Sequence, residues 1–168
     1  AECADPQAGQ LDAVALPDGL SDCVDSIQGP AYILDQAWNV LAWNPPLQRL
    51  FDGWPGQGRA NLLHYIFMDP AARTLVVDWE ERASRVVAEF RADVAALAGD
   101  PAIGALVAEL QAGSPLFAGC WTRQTVVDRE GGVREFQHPA RGRLMFRQFT
   151  FRLAVRPDCK LVMLLDQA

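Results

Sequence analysis

Apolar positions along this 168-residue chain keep two different periods, and the period changes twice. In "YILDQAWNVLAWN", residues 32 to 44, Tyr32, Ile33 and Leu34 are followed by the polar pair Asp35-Gln36 and then by Trp38, Val40, Leu41 and Trp43. Short apolar runs around a polar reversal predict a hairpin. Asn44 ahead of Pro45-Pro46 predicts a helix start, because its side chain accepts an amide hydrogen that the first turn leaves unpaired, and proline has no such hydrogen. Just upstream, "GLSDCVDSIQG" places Leu20, Cys23, Val24 and Ile27 along one side of a short helix closed by Gly29.

From Asn44 to Arg123 the period is that of a helix. Leu47, Leu50 and Phe51 follow the first cap, and Gly53, Pro55, Gly56 and Gly58 interrupt it. Asn61 restarts a helix, "LLHYIF". Asp69-Pro70, Asp100-Pro101 and Ser114-Pro115 repeat one start signal, a capping oxygen followed by proline. The steps Leu75, Val76, Trp79, Ala83, Val86, Val87, Phe90, Val94 and Leu97 predict a single long amphipathic helix from Asp69 onward, ended by Gly99. Ile103, Leu106, Val107 and Leu110 mark the next helix, stopped by Gly113, and Leu116, Phe117, Cys120 and Trp121 the last.

Beyond Arg123 strands take over. "QTVVDREGGVREFQ" predicts a hairpin around Glu130-Gly131-Gly132, and "GRLMFRQFTFRLAV" a long strand that pairs with "KLVMLLD" across Arg156-Pro157-Asp158-Cys159. In the long strand Leu144 and Phe146 share one face, whereas Phe149, Phe151 and Leu153 share the other. A bulge near Arg147-Gln148, or burial on both faces, would reconcile the two sets. The order ββ-ααααα-βββ predicts an α+β fold: an antiparallel sheet of about five strands drawn from both ends of the chain, with the helices packed over one face. Residues 1–19, with Pro6, Gly9, Pro17 and Gly19, read as a linker or tail ahead of one domain spanning 20–168.

Composition narrows the function. A net charge of −6 disfavours a polyanionic partner, and the arginines between Arg141 and Arg156 alternate with apolar residues as on the wet side of a strand. No run is long enough for a membrane span and no secretory signal opens the chain, so a cytoplasmic protein is expected. The cysteines Cys3, Cys23, Cys120 and Cys159 are scattered, free thiols on this reading, and neither they nor His64 and His138 have the spacing of zinc or haem ligands. Gly53, Gly56 and Gly58 make no phosphate-binding fingerprint, and Ser26, Ser84 and Ser114 lack nucleophile-elbow glycines, so no catalytic residue and no enzyme is predicted. Five tryptophans and eight phenylalanines leave two readings open. They fill the core of a dimerisation module, or they wall an apolar ligand chamber, and a void of ligand size between sheet and helices separates the two.

The element order resembles the PAS fold. In detail, "GPAYILDQAWNVLAWN", "NLLHYIFMDPAARTLVVDWEERA", "SPLFAGCW" and "FQHPARGRLMF" resemble, in that order and over roughly residues 17 to 166, the ligand-binding domain of MmyB-like transcription regulators. The resemblance implies a small apolar, fatty-acid-like effector held between sheet and helices, with no other cofactor. It also implies a preceding helix-turn-helix domain, absent from this chain, through which any DNA contact would run; residues 1–19 would be where it ends. Tyr32, Trp38, Trp43 and Asn44 match the hairpin motif, Asp78, Trp79 and Arg91 the helical one, and Trp121, His138, Pro139 and Gly142 the later ones. Gln124 and Gln148 depart from it, standing where histidine and tyrosine are common.

For a single-tailed acid the expected walls are Tyr32, Trp43, Leu63, Phe67, Trp79, Val86, Phe90, Phe117, Trp121, Phe136, Phe146 and Phe151. Arg82 lies at the edge of the Trp79–Val86–Phe90 stripe, where it would meet a head group. Arg91 and His138 enter the site through the family match, and the place of His138 before Pro139 also suits a structural hydrogen bond. Trp79 is expected to be mostly buried. A homodimer is expected too, with Leu20, Val24 and Ile27 in its interface or folded onto the sheet.

Overall fold

The computed structural model describes residues 15–123 and 132–168. Its elements are α1 (Leu20–Asp25), β1 (Ala31–Leu34), β2 (Val40–Trp43), α2 (Pro45–Leu50), α3 (Leu62–Met68), α4 (Pro70–Leu75), α5 (Trp79–Val94), a 3-10 turn (Ala95–Leu97), α6 (Pro101–Gly113), α7 (Pro115–Thr122), β3 (Gly132–His138), β4 (Gly142–Leu153) and β5 (Arg156–Asp166). The five strands form one antiparallel sheet in the order β2-β1-β5-β4-β3. The first and last strands thus pair near its centre, as the α+β pattern predicts.

All five capping side chains are engaged. Asn44, Asn61, Asp69, Asp100 and Ser114 accept the amide hydrogens of Leu47, His64, Ala71, Ala102 and Phe117 over 2.8–3.2 Å. Asn44, wholly buried, does more than cap α2. Its Oδ1 also accepts from the Ala31 amide at 3.0 Å, and its Nδ2 donates to the carbonyls of Ile27 and Gly29 at 3.0 and 2.8 Å. One amide side chain therefore holds the α1–β1 segment against the start of α2.

Several boundaries differ from the sequence expectation. The hairpin reversal spans five residues, Asp35 to Asn39, rather than two. Asp35 Oδ1 accepts the amides of Ala37 and Asn39, and Trp38 leaves the strand with φ 62°, so its ring turns into the core. α1 ends at Asp25, and Gly29 serves close packing instead: a Cβ there would lie 2.7 Å from the Leu164 carbonyl oxygen. The predicted long helix is broken into α4 and α5. Between them Val76 bridges Phe136, the Val77 amide donates to Glu135 at 3.2 Å, and Asp78 adopts φ 51°. The apolar steps run on because Val76 is needed at the edge of β3, where it is extended backbone and not helix. Six α-helices rather than five therefore lie between β2 and β3. The β4–β5 turn falls at Ala154-Val155, before the predicted Arg156–Cys159, and the register shifts between Arg152 and Leu153 so that Pro157 to Cys159 have no partner on β4. The first arm of the predicted hairpin at Glu130-Gly131-Gly132 lies outside the described residues, as do Cys3 and Gln124.

The two faces of the sheet have different cover. Tyr32, Leu34, Phe136, Phe146, Val162 and Leu164 point to the helices α2–α7, whereas Ala31, Ile33 and Cys159 point the other way and pack with Val24 of α1. α1 has only six residues and packs mainly against β1 and β2 on this second face. Phe149 and Phe151, on the same face of β4, remain 42 % and 49 % exposed. The β4–β5 register is unbroken from Phe146 to Arg152, so neither a bulge at Arg147-Gln148 nor burial on both faces occurs. Among the described residues no helix is long and apolar enough to cross a membrane.

Candidate functional site

A cavity of about 280 Å³ lies between α5 and the sheet, open to solvent on one side. Its inner wall is apolar: Leu34 on β1, Trp38 from the hairpin loop, Phe51, Leu62 and Ile66 from α2–α3, and Val162 and Leu164 on β5. Its rim is formed by exposed Asp78, Glu81 and Arg85 at the start of α5, opposite Gly132 and Val133 of β3. Between wall and rim stands a band of polar groups: Tyr32, Arg82, Glu89, Arg134, Gln148 and Thr150.

The polar band is built by two simple periodicities. On α5, Arg82, Val86 and Glu89 recur at steps of four and three, so they share one face. On β3, Phe136 points inward, and a period of two brings Arg134 inward with it. Arg82 Nη2 donates to both oxygens of Glu89, at 3.1 and 3.4 Å. Arg134 Nε donates to Gln148 Oε1 at 3.0 Å, and its Nη2 lies 3.9 Å from Glu89 Oε1. Glu89 and Arg134 are each only 7 % exposed. Burial, helped by the nearby Arg82 charge, pulls the Arg134 guanidinium down to about 10, so it stays cationic at neutral pH. Burial also pushes the Tyr32 phenol up to about 12, against the opposing pull of Arg134 and Arg82. Deeper in, Lys160 faces the ring of Trp38 at 4.6 Å and is paired with Asp93 of α5.

Of the residues that the sequence singled out, Tyr32, Trp79, Arg82, Val86 and Phe136 line the cavity. Trp79 packs against the core and is mostly buried, as expected, its indole N–H donating to the Ile66 carbonyl at 2.9 Å. Leu63, Phe67, Phe90, Phe117 and Phe146 lie in the solid core beside the cavity. The reason is ring packing. Trp38, Phe90, Trp121, Phe117 and Phe67 touch in sequence, at centroid distances of 5.2–6.0 Å, and leave no space there. Trp43 packs at the outside of that core and donates to Gln48 Oε1 at 3.0 Å. Phe151 is on the opposite face of the sheet and cannot reach the cavity.

Two family-matched polar residues also have structural partners. Arg91 donates to the carbonyls of Cys120 and Arg123 at 3.2 and 2.7 Å and to that of Trp121, and it lies over the Trp121 ring at 4.9 Å. It closes the C-terminal end of α7, where carbonyls lack helical partners. His138 Nδ1 accepts the amides of Ala140 and Arg141 at 3.0 and 3.1 Å, which leaves the proton on Nε2 to donate to the Arg49 carbonyl at 2.8 Å. Arg91 and His138 are thus engaged away from the cavity.

Glu89, Arg134 and Lys160 join the site without having been expected there. Each carried a signal: a lone charge in the apolar run around Val87 and Phe90, and two cations in phase with inward-facing Phe136 and Val162. Gln148 accepts from Arg134 Nε and so orients it. Cys23, Cys120 and Cys159 are free thiols, and burial raises the Cys159 thiol to about 11. Among the described residues no group of three or more His, Cys, Asp or Glu side chains is placed to hold a metal ion.

A family model described as the MmyB-like transcription regulator ligand binding domain matches residues 16–166. No curated protein matches the chain.

Proposed function

Because the chain belongs to the MmyB-like transcription regulator ligand-binding family, we propose that it senses a small apolar effector such as a fatty acid, held in the cavity between sheet and helices. The family is one of regulatory ligand-binding domains and not of enzymes. The observation that carries the proposal is the cavity itself. At about 280 Å³ it lies just below the usual range of ligand sites, about 300 to 1,000 Å³. Its apolar inner wall and polar band suit a molecule with a tail and a head. A pure dimerisation module would have filled that space with side chains.

Titration with a series of straight-chain acids tests the reading. Each added methylene strengthens binding by about 0.8 kcal/mol until the cavity is full. No binding by any member, or no dependence on chain length, overturns it. Native mass spectrometry of the purified protein then identifies what it carries from the cell.

We further propose that the domain pairs with a second copy, in the cytoplasm, through the uncovered part of the sheet. Met145, Phe149 and Phe151 on β4, Val133 on β3 and Leu165 on β5 are exposed there. Glu135 and Arg143 lie beside them, so the face carries both charge signs, which suits a self-complementary two-fold interface.

A further inference from the structure

We propose that Arg134 and Arg82 form a receiver for the anionic head of the effector, a carboxylate, with Glu89 limiting it to a single negative charge. The inference deepens the sensor reading above and rests on it. Two guanidinium groups face one carboxylate in the polar band, an excess of one positive charge there, while Asp78 lies exposed on the rim. The other cation on the inner wall, Lys160, is already paired with Asp93, and Arg85 on the rim with Glu81 at 3.2 Å.

The hydrogen-bonding inventory points to the same atom. Arg134 is nine-tenths buried, its Nε is held by Gln148, and its Nη1 donates to the Val133 carbonyl at 3.3 Å. Its Nη2 is buried and has no hydrogen-bond partner, although Arg134 lines the cavity. A buried, unpaired guanidinium donor costs free energy, and a carboxylate accepting from it would remove that cost through a charge-assisted bond. Arg82, on the facing helix, stands close enough to share Glu89 with Arg134 and so to share a ligand oxygen. With the head placed there, the tail follows the apolar wall toward Leu34, Phe51 and Ile66. A dianionic head would meet Glu89 and is excluded by repulsion.

The test compares decanoic acid with decanol, which differ in charge and not in chain length. Calorimetry on the wild-type protein is expected to show the acid binding at least roughly tenfold more tightly, the range of one charge-assisted bond. In Arg134→Gln that preference disappears because acid affinity falls much more than decanol affinity, and Arg134→Lys restores part of it. Glu89→Gln raises acid affinity several-fold and admits a dianion, decylphosphate, that the wild type rejects. Equal wild-type affinity for acid and alcohol overturns the receiver while leaving the sensor reading intact. An equal loss of both ligands in Arg134→Gln also overturns it, by showing a role in shape alone. Binding of neither ligand removes the sensor reading itself. Should Arg134→Gln fail to fold, Arg82→Gln, on the more accessible helix side, is expected to lower the acid preference in the same direction, and an unchanged preference overturns the proposal.

Discussion

The indole N–H of Trp38 donates to Asp93 Oδ2 over 2.8 Å, joining the turn of the first hairpin to the last turn of α5, fifty-five residues further along the chain. The same carboxylate pairs with Lys160 on β5, so hairpin, helix and central strand meet at one acid. Lys160 and Asp93 have little access to water, at 11 % side-chain exposure each. Removing the acid charge leaves a buried ammonium unpaired, which costs on the order of 3 kcal/mol. Asp93→Asn is therefore expected to destabilise the protein by about that amount in urea unfolding, and Trp38→Phe, which keeps the ion pair, by less.

Asn44 offers a sharper contrast. Its amide both accepts and donates, to Leu47 and Ala31 on one side and to Ile27 and Gly29 on the other. Asn44→Ala loses a cap and leaves buried carbonyls unpaired, for a cost of roughly 2–4 kcal/mol. Asn44→Asp retains the cap acceptor but sets a carboxylate against those carbonyls. Thermal melts at neutral pH should place Asp below Ala or level with it, whereas a simple capping role would place Asp with the wild type.

The only two tyrosines, Tyr32 and Tyr65, are both buried. Burial raises the Tyr32 phenol to about 12 and pushes Tyr65 higher still. Between about pH 10 and 12 the native state keeps these protons and the unfolded state releases them. The tyrosine contribution to stability therefore falls as pH rises through that window, by up to about 1.4 kcal/mol per unit for each phenol. An alkaline titration followed by phenolate absorbance should show little ionisation at pH 10–11 while the protein remains folded, and both phenolates appearing together on unfolding. A phenolate forming near pH 10 in folded protein contradicts this.

Val86 lines the cavity on α5 and is buried. A tryptophan there points its ring into the void, so Val86→Trp is expected to abolish fatty-acid binding while the melting temperature stays within a few degrees. In a filled core the same change would overpack and cost about 1–3 kcal/mol. A large loss of stability with binding intact refutes the cavity assignment.

Phe149→Glu tests the open sheet face. Phe149 is exposed in the single chain, so its replacement should leave the melt of the monomer unchanged. If that face joins two copies, light scattering should show the wild type as a dimer and Phe149→Glu as a monomer. A monomeric wild type at high concentration removes the pairing.

What the sequence determined by itself was local. Asn44, Asn61, Asp69, Asp100 and Ser114 each start a helix because a capping oxygen and the amides it satisfies are only two or three residues apart, so no distant partner is required. The alternation of β3 and β5 and the ββ–helices–βββ order likewise sufficed for an antiparallel α+β fold, and the motifs for the family. The tertiary structure decided whatever depends on residues far apart in the chain. Val76 leaves the helix because β3, sixty residues later, offers it an extended partner. Phe151 stays half-exposed because the short α1 packs mainly against β1 and β2. The aromatic residues divided between a solid core and a cavity wall according to which rings met across the helices, as Phe90 met Trp38 and Trp121. Arg134 became a site residue for the same reason: its parity was visible in the sequence, but the facing Glu89 and Arg82, and the donor they leave unpaired, exist only once α5 lies across the sheet.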